Sequence, residues 1–155
     1  LHLSLRRQRQ MCIRDSYKSH YDLGVAYKEM GLYAEAIEEF QISAKDPELT
    51  LKSMEMIGTC YYERKKYKEA VAILKRSLKI PGYNKSDFVG IHLLLARCYE
   101  AMGKNEDALR EYEIVYHYNP TLAEVKEKLA ALKQPTEKKE KPVPRAARKG
   151  KISYL

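Results

Sequence analysis

The groups available for acid–base, nucleophilic or metal chemistry in this chain of 155 residues are four His, three Cys and 21 carboxylate side chains. Their spacing argues against each chemistry in turn. Cys12, Cys60 and Cys98 form no Cys-x-x-Cys pair, and no His cluster stands at zinc-ligand intervals. An odd, sparse cysteine count gives no disulfide framework, which favours a reducing compartment and a cytoplasmic location. His20 and His92 occupy equivalent places in an internal repeat, so a packing or surface role suits them better than ligation. No Ser/His/Asp or Cys/His set is suggested, and no Gly-rich loop is present to cradle phosphate. Carboxylates such as Glu35, Glu38 and Glu39 alternate with Lys along helix faces and read as solvated surface. The expectation is a protein without enzymatic activity, without a metal site and without a cofactor.

Charge narrows the class further. The formal net charge is +8, but it is carried by the two ends. Residues 1–16 hold four Arg and one Asp, residues 17–133 hold 18 basic and 18 acidic side chains, and residues 134–155 hold seven basic and two acidic ones. A neutral centre between basic ends does not mark a nucleic-acid-binding face. Apolar stretches are short, such as Leu93 to Ala96 bracketed by His92 and Arg97, far below the roughly 18–20 residues of a membrane span.

The elements that must position any site lie between the ends. The first sixteen residues, LHLSLRRQRQMCIRDS, use Arg without Lys, whereas residues 17–133 use 14 Lys and four Arg. They show no sustained helical period and no signal-peptide pattern. The string Met11-Cys12-Ile13-Arg14-Asp15-Ser16 resembles translated sequencing-adapter read-through, so residues 1–16 are expected to be non-native or disordered, with the native chain continuing upstream. The tail, residues 134–155, has three Pro, one Gly and almost no apolar period. Disorder is the expectation there, because it buries too little to offset its ordering entropy.

The middle repeats. Leu23-Gly24-Val25-Ala26-Tyr27 returns as Ile57-Gly58-Thr59-Cys60-Tyr61 after 34 residues, and Tyr33-Ala34-Glu35-Ala36-Ile37 returns as Tyr67-Lys68-Glu69-Ala70-Val71 at the same interval. A third copy, with Leu95-Ala96-Arg97-Cys98-Tyr99 and Asn105-Glu106-Asp107-Ala108-Leu109, follows after 38 residues because Gly82-Tyr83-Asn84-Lys85 lengthens the turn. Each copy reads as two helices. In the first copy Leu23, Ala26, Tyr27 and Met30 make the apolar stripe of the leading helix, Gly31 supplies the turn, and Ala36, Ile37, Phe40 and Ala44 face inward from the second helix. Small residues at Gly24, Gly58 and Ala96, and at Ala36, Ala70 and Ala108, allow close crossings. Asp46-Pro47 and Asn119-Pro120 predict a capping residue before a Pro at the first helical position. One helix pair cannot bury its apolar face alone, so neighbouring pairs must stack.

This pattern resembles the tetratricopeptide-repeat family. Leu23, Gly24, Tyr27, Gly31, Tyr33, Ala36 and Phe40 match its signature in the first copy. Ile57, Gly58, Tyr61, Tyr67, Ala70 and Leu74 match in the second, and Leu95, Ala96, Tyr99, Gly103, Ala108, Tyr112 and Pro120 in the third. The usual Trp is replaced by His20, Met54 and His92, and the second turn Gly by Lys65. The implied fold is all-α: an α-solenoid of three repeats (about 17–49, 50–84 and 87–120) closed by a capping helix over 121–133.

The resemblance also implies a function. In the family the leading helices line a concave groove that holds a peptide, which by position makes Tyr21, Val25, Lys28, Glu29, Lys52, Glu55, Thr59, Tyr62, Leu93, Arg97 and Glu100 the lining here. The expected role is a non-catalytic adaptor or scaffold that binds another protein or peptide. One subfamily captures C-terminal carboxylates with a Lys/Asn clamp. The corresponding positions are Tyr21, Val25, Met56, Gly90 and Leu94, so that clamp is missing. The alternative places function in the tail, where Lys138, Lys139, Lys141, Arg145, Arg148, Lys149 and Lys151 would neutralise phosphates of nucleic acid or of an anionic membrane surface.

Overall fold

A computed structural model describes residues 2–133. The described residues form seven α-helices and no strand. They are α1 (His2–Glu29), α2 (Tyr33–Ser43), α3 (Thr50–Glu63), α4 (Tyr67–Ser77), α5 (Val89–Ala101), α6 (Asn105–Tyr118) and α7 (Ala123–Lys133). Helices pair as α1 with α2, α3 with α4 and α5 with α6. The pairs stack in chain order through α2 on α3 and α4 on α5, and α7 closes on α6. The leading helices α1, α3 and α5 make one layer, in which α3 touches α5 directly, and α2, α4 and α6 make the other. The chain is an all-α solenoid. Among the described residues no helix is long and apolar enough to cross a membrane.

Small residues set the spacing within pairs. A Cβ on Gly24 would stand 2.9 Å from the Phe40 ring, and one on Gly58 would stand 2.6 Å from Cδ2 of Leu74. Ala36, Ala70, Ala96 and Ala108 are wholly buried at the same crossings. The turns between paired helices share one backbone conformation. Gly31 (φ 78°), Lys65 (φ 59°) and Gly103 (φ 73°) are repeat equivalents, and all three lie in the left-handed region that closes a helix C-terminus.

The apolar stripe expected on α1 is displaced. Leu23 is 40% exposed, whereas its equivalents Ile57 and Leu95 are 2% and 0% exposed. Ser19 and Ala26 are exposed where Ser53, Cys60, Ile91 and Cys98 are buried, and Met30 is also exposed. The cause is position in the stack. In the second and third repeats that face packs on the helix pair before it, and among the described residues nothing precedes α1. The face α1 does use carries Tyr21, Gly24, Val25 and Tyr27 against the core of Ala36, Ile37, Phe40, Ile57 and Cys60.

Two further expectations shift. Residues 2–16 are helical, as the N-terminal half of α1, because Leu, Arg, Gln and Met are good helix formers and no Gly or Pro interrupts them. All of them are exposed, so this half adds nothing to the core; Arg14 pairs with Glu48 at the surface. The prolines lie outside the helices: α3 starts at Thr50 and α7 at Ala123, three residues after Pro47 and Pro120. The Asp46 and Asn119 side chains accept N–H bonds from Glu48 and Thr121, two residues on, which builds a turn in place of a helix cap. The lengthened connection before α5 is anchored by Tyr83, whose hydroxyl donates to the Pro47 carbonyl at 2.6 Å, and by reciprocal bonds between Asn84 and Asp87.

Candidate functional site

Among the described residues, the leading helices present one continuous face of side chains that are neither sealed in the core nor wholly in solvent. Tyr21, Val25 and Lys28 of α1, Glu55, Thr59 and Tyr62 of α3, and Leu93, Arg97 and Glu100 of α5 are all half-buried; Glu29 and Lys52 are exposed. Several also support the fold. Tyr21 stands edge-on to Phe40 at 5.5 Å and Tyr62 packs on Tyr67 at 5.5 Å. Leu93 packs against the C-terminal core. The Thr59 hydroxyl donates to the Glu55 carbonyl at 3.0 Å, so it is already engaged within its own helix.

The face has a recess at each end. At the N-terminal end Tyr21 and Lys52 join Asp22, Asp46 and Leu49 around about 450 Å³, partly walled by α1 before residue 17. At the C-terminal end Tyr62, Arg97 and Glu100 meet Glu124 and Lys128 of α7 around about 400 Å³.

The second recess is closed by charge. Arg97 donates from Nε to Glu124 Oε1 at 2.9 Å and from Nη2 to Oε2 at 2.6 Å, a two-pronged pair. Lys128 donates to Glu100 Oε1 at 2.6 Å, and the Tyr112 hydroxyl donates to Glu100 Oε2 at 2.9 Å. The Arg97 bonds hold the Glu124 carboxyl below its ordinary range, and the Glu100 bond raises the Lys128 ammonium. Arg97 and Glu100 are therefore tied to the cap helix. Sequence reasoning did not reach Glu124; its signal was the four-residue spacing to Lys128, which puts opposite charges on one face of α7.

Glu55 contrasts with them. It lies where α3 crosses α5, and a Cβ on Gly90 would overlap its carboxylate. Among the described residues that carboxylate has no hydrogen bond or ion pair, and burial alone raises it above the usual range. Its field also contributes to the raised hydroxyl of Tyr21, after burial of that ring.

Residues 17–41 match the family model of the tetratricopeptide repeat, and residues 46–114 match that of anaphase-promoting complex, cyclosome, subunit 3. The chain belongs to the tetratricopeptide-repeat family. No curated protein sequence matches it. Among solved structures, the first tetratricopeptide domain of Spaghetti (RPAP3) bound to the HSP90 peptide SRMEEVD is similar at TM-score 0.69 and 20% identity, over 77% of this chain and 94% of that one. The second such domain of human RPAP3, in complex with the HSP70 peptide SGPTIEEVD, gives 0.64 and 19%, over 80% and 98%. The type III secretion translocator chaperone SycD of Yersinia enterocolitica gives 0.64 and 16%, over 77% and 92%.

Two cysteines and two histidines of this tetratricopeptide stack serve its packing. Cys60 and Cys98 are wholly buried, and burial pushes both thiols up to about 11, away from thiolate reactivity. His20 and His92 are held by Glu39 and Glu111 on the paired helix. Among the described residues no three His, Cys, Asp or Glu converge as a metal site. The tail cations Lys138, Lys139, Lys141, Arg145, Arg148, Lys149 and Lys151 lie outside the described residues.

Proposed function

We propose that the face formed by α1, α3 and α5 holds a short segment of a partner protein, and that the chain is a non-catalytic interaction module. The observation that carries this reading is the row of half-buried side chains on the leading helices. Tyr21, Val25, Tyr62 and Leu93 offer apolar surface that the chain's own core does not cover fully. Rigid, partly ordered aromatic and aliphatic anchors of this kind lose little entropy on binding. The peptide complexes of the RPAP3 domains support the same class of role.

The binding surface is narrower than position in the repeat implies. Arg97 and Glu100 belong to the closed end, which leaves Tyr21, Val25, Lys28, Glu29, Lys52, Glu55, Thr59, Tyr62 and Leu93 for a partner. The cations of a carboxylate clamp are absent at Tyr21, Val25, Met56, Gly90 and Leu94, so the clamp's way of gripping a free C-terminal carboxylate is not available here. Affinity capture by the full chain is the test. Substituting Val25, Thr59 and Tyr62 together should deplete the partners recovered by wild type. Substituting Glu38 and Glu69, exposed on the outer helices α2 and α4, should not. Identical recovery from the inner-face variant would reject the reading.

A further inference from the structure

Among the described residues, Glu55 is the one carboxylate of the inner face that burial disturbs and that no protein group bonds. The other charges at the closed end are paired, and of those nearer the N-terminus Lys28 is half-buried while the rest are exposed to water. Arg97 and Glu100 are bound by Glu124 and Lys128, and Glu29 and Lys52 are exposed. Lys52 stands one turn before Glu55 on α3 and Lys28 stands on α1, yet among the described residues neither forms an ion pair with it, and burial raises its carboxyl above the usual range. The carboxylate is held against the bare backbone of Gly90, between the two recesses, with Tyr21 on the α1 side. A half-buried charge without a partner is unfavourable, and an arriving cation gains a charge-assisted hydrogen bond in a setting of low dielectric.

We infer that Glu55 is the recognition point for a basic side chain, Lys or Arg, of the peptide segment that lies on this face. The inference rests on the peptide-binding reading above and adds its chemistry. The segment is selected by a cation near the middle of the groove, flanked by apolar residues that meet Tyr21 on one side and Tyr62 and Leu93 on the other. Gly90 has a part in this geometry: any side chain there would displace the carboxylate from its seat.

The test is a displayed library of random short peptides, selected in parallel against the full wild-type chain and its Glu55→Gln variant. Enriched peptides are then titrated, with each basic residue replaced in turn by Gln, and their footprint is mapped by backbone amide shifts. The expected result is a Lys or Arg at one fixed distance from an apolar anchor in the wild-type selection. Replacing that residue by Gln should weaken binding to wild type about tenfold and leave binding to Glu55→Gln unchanged. Peptides that shift α1, α3 and α5 without a basic preference, or with a preference that survives in Glu55→Gln, overturn the inference and leave the groove reading standing. Peptides that shift α2, α4 and α6 alone overturn both. Tighter binding of the same peptides once the seven tail cations are changed to Gln would make the chain's own tail the occupant and overturn the assignment to a partner.

Discussion

Nδ1 of His92 lies 2.6 Å from Oε2 of Glu111, joining the two helices of the third repeat. The same bond joins His20 to Glu39 in the first repeat, 19 positions apart in each case. The equivalent positions of the second repeat are Met54 and Ile73, both half-buried against the N-terminal core. One crossing is thus built twice from a polar pair and once from an apolar one. The His92 and Glu111 side chains are 16% and 18% exposed, so a lone survivor would be poorly solvated.

His92→Met alone should therefore destabilise the fold by about 1–3 kcal/mol, the cost of stranding a mostly buried carboxylate. His92→Met with Glu111→Ile, which copies the second repeat, should recover wild-type stability or exceed it. Chemical denaturation of the two variants checks this. Equal loss in the single and double variants would show that the crossing needs the polar pair.

Lys65 is the non-glycine residue at a turn where both repeat equivalents are Gly. Its φ of 59° is unfavourable for a side chain that gains nothing there, being exposed. Lys65→Gly should raise stability by about 0.5–1 kcal/mol despite the greater freedom glycine gives the unfolded chain. The midpoint of thermal unfolding reports it, and an unchanged or lower midpoint contradicts it.

Leu23 and Ile57 occupy one repeat position and should respond oppositely to truncation. Ile57→Ala should cost about 2–4 kcal/mol through cavity formation. Leu23→Ala, on a face that nothing covers among the described residues, should cost well under about 1 kcal/mol. Comparable losses would mean that the face of α1 is covered in solution.

The helix pairs, their order and the small residues at their crossings were legible in the sequence, because spacing of 34 residues carries all three at once. Burial in the first repeat was not. Leu23 and Ile57 look alike in any local window, and only the presence of a preceding pair distinguishes them. The commitment of Arg97 and Glu100 to α7 was hidden for a related reason. Repeat position puts them on the groove face, but Glu124 lies 27 residues beyond Arg97 and belongs to no repeat match. The isolation of Glu55 depends on which groups fail to reach it, and spacing within a chain does not record that.

Glu55 also makes a prediction about pH. Its carboxyl is raised in the folded chain, so the folded state holds that proton to higher pH than the unfolded state does. This group's contribution to stability is undiminished below the ordinary carboxylate range and falls as pH rises through the raised value. Glu55→Gln should accordingly unfold at a higher temperature than wild type at neutral pH, and the difference should close in acid. A variant less stable than wild type at neutral pH would show that Glu55 has a partner after all.

Site-specific photo-cross-linking tests the central claim most directly. A photoreactive residue is placed at Thr59 on the inner face or at Glu38 on the outer, and each full-length protein is irradiated with the library-selected peptides. Binding on the leading helices predicts a covalent adduct from Thr59 and none from Glu38. An adduct from Glu38 with none from Thr59 would contradict it.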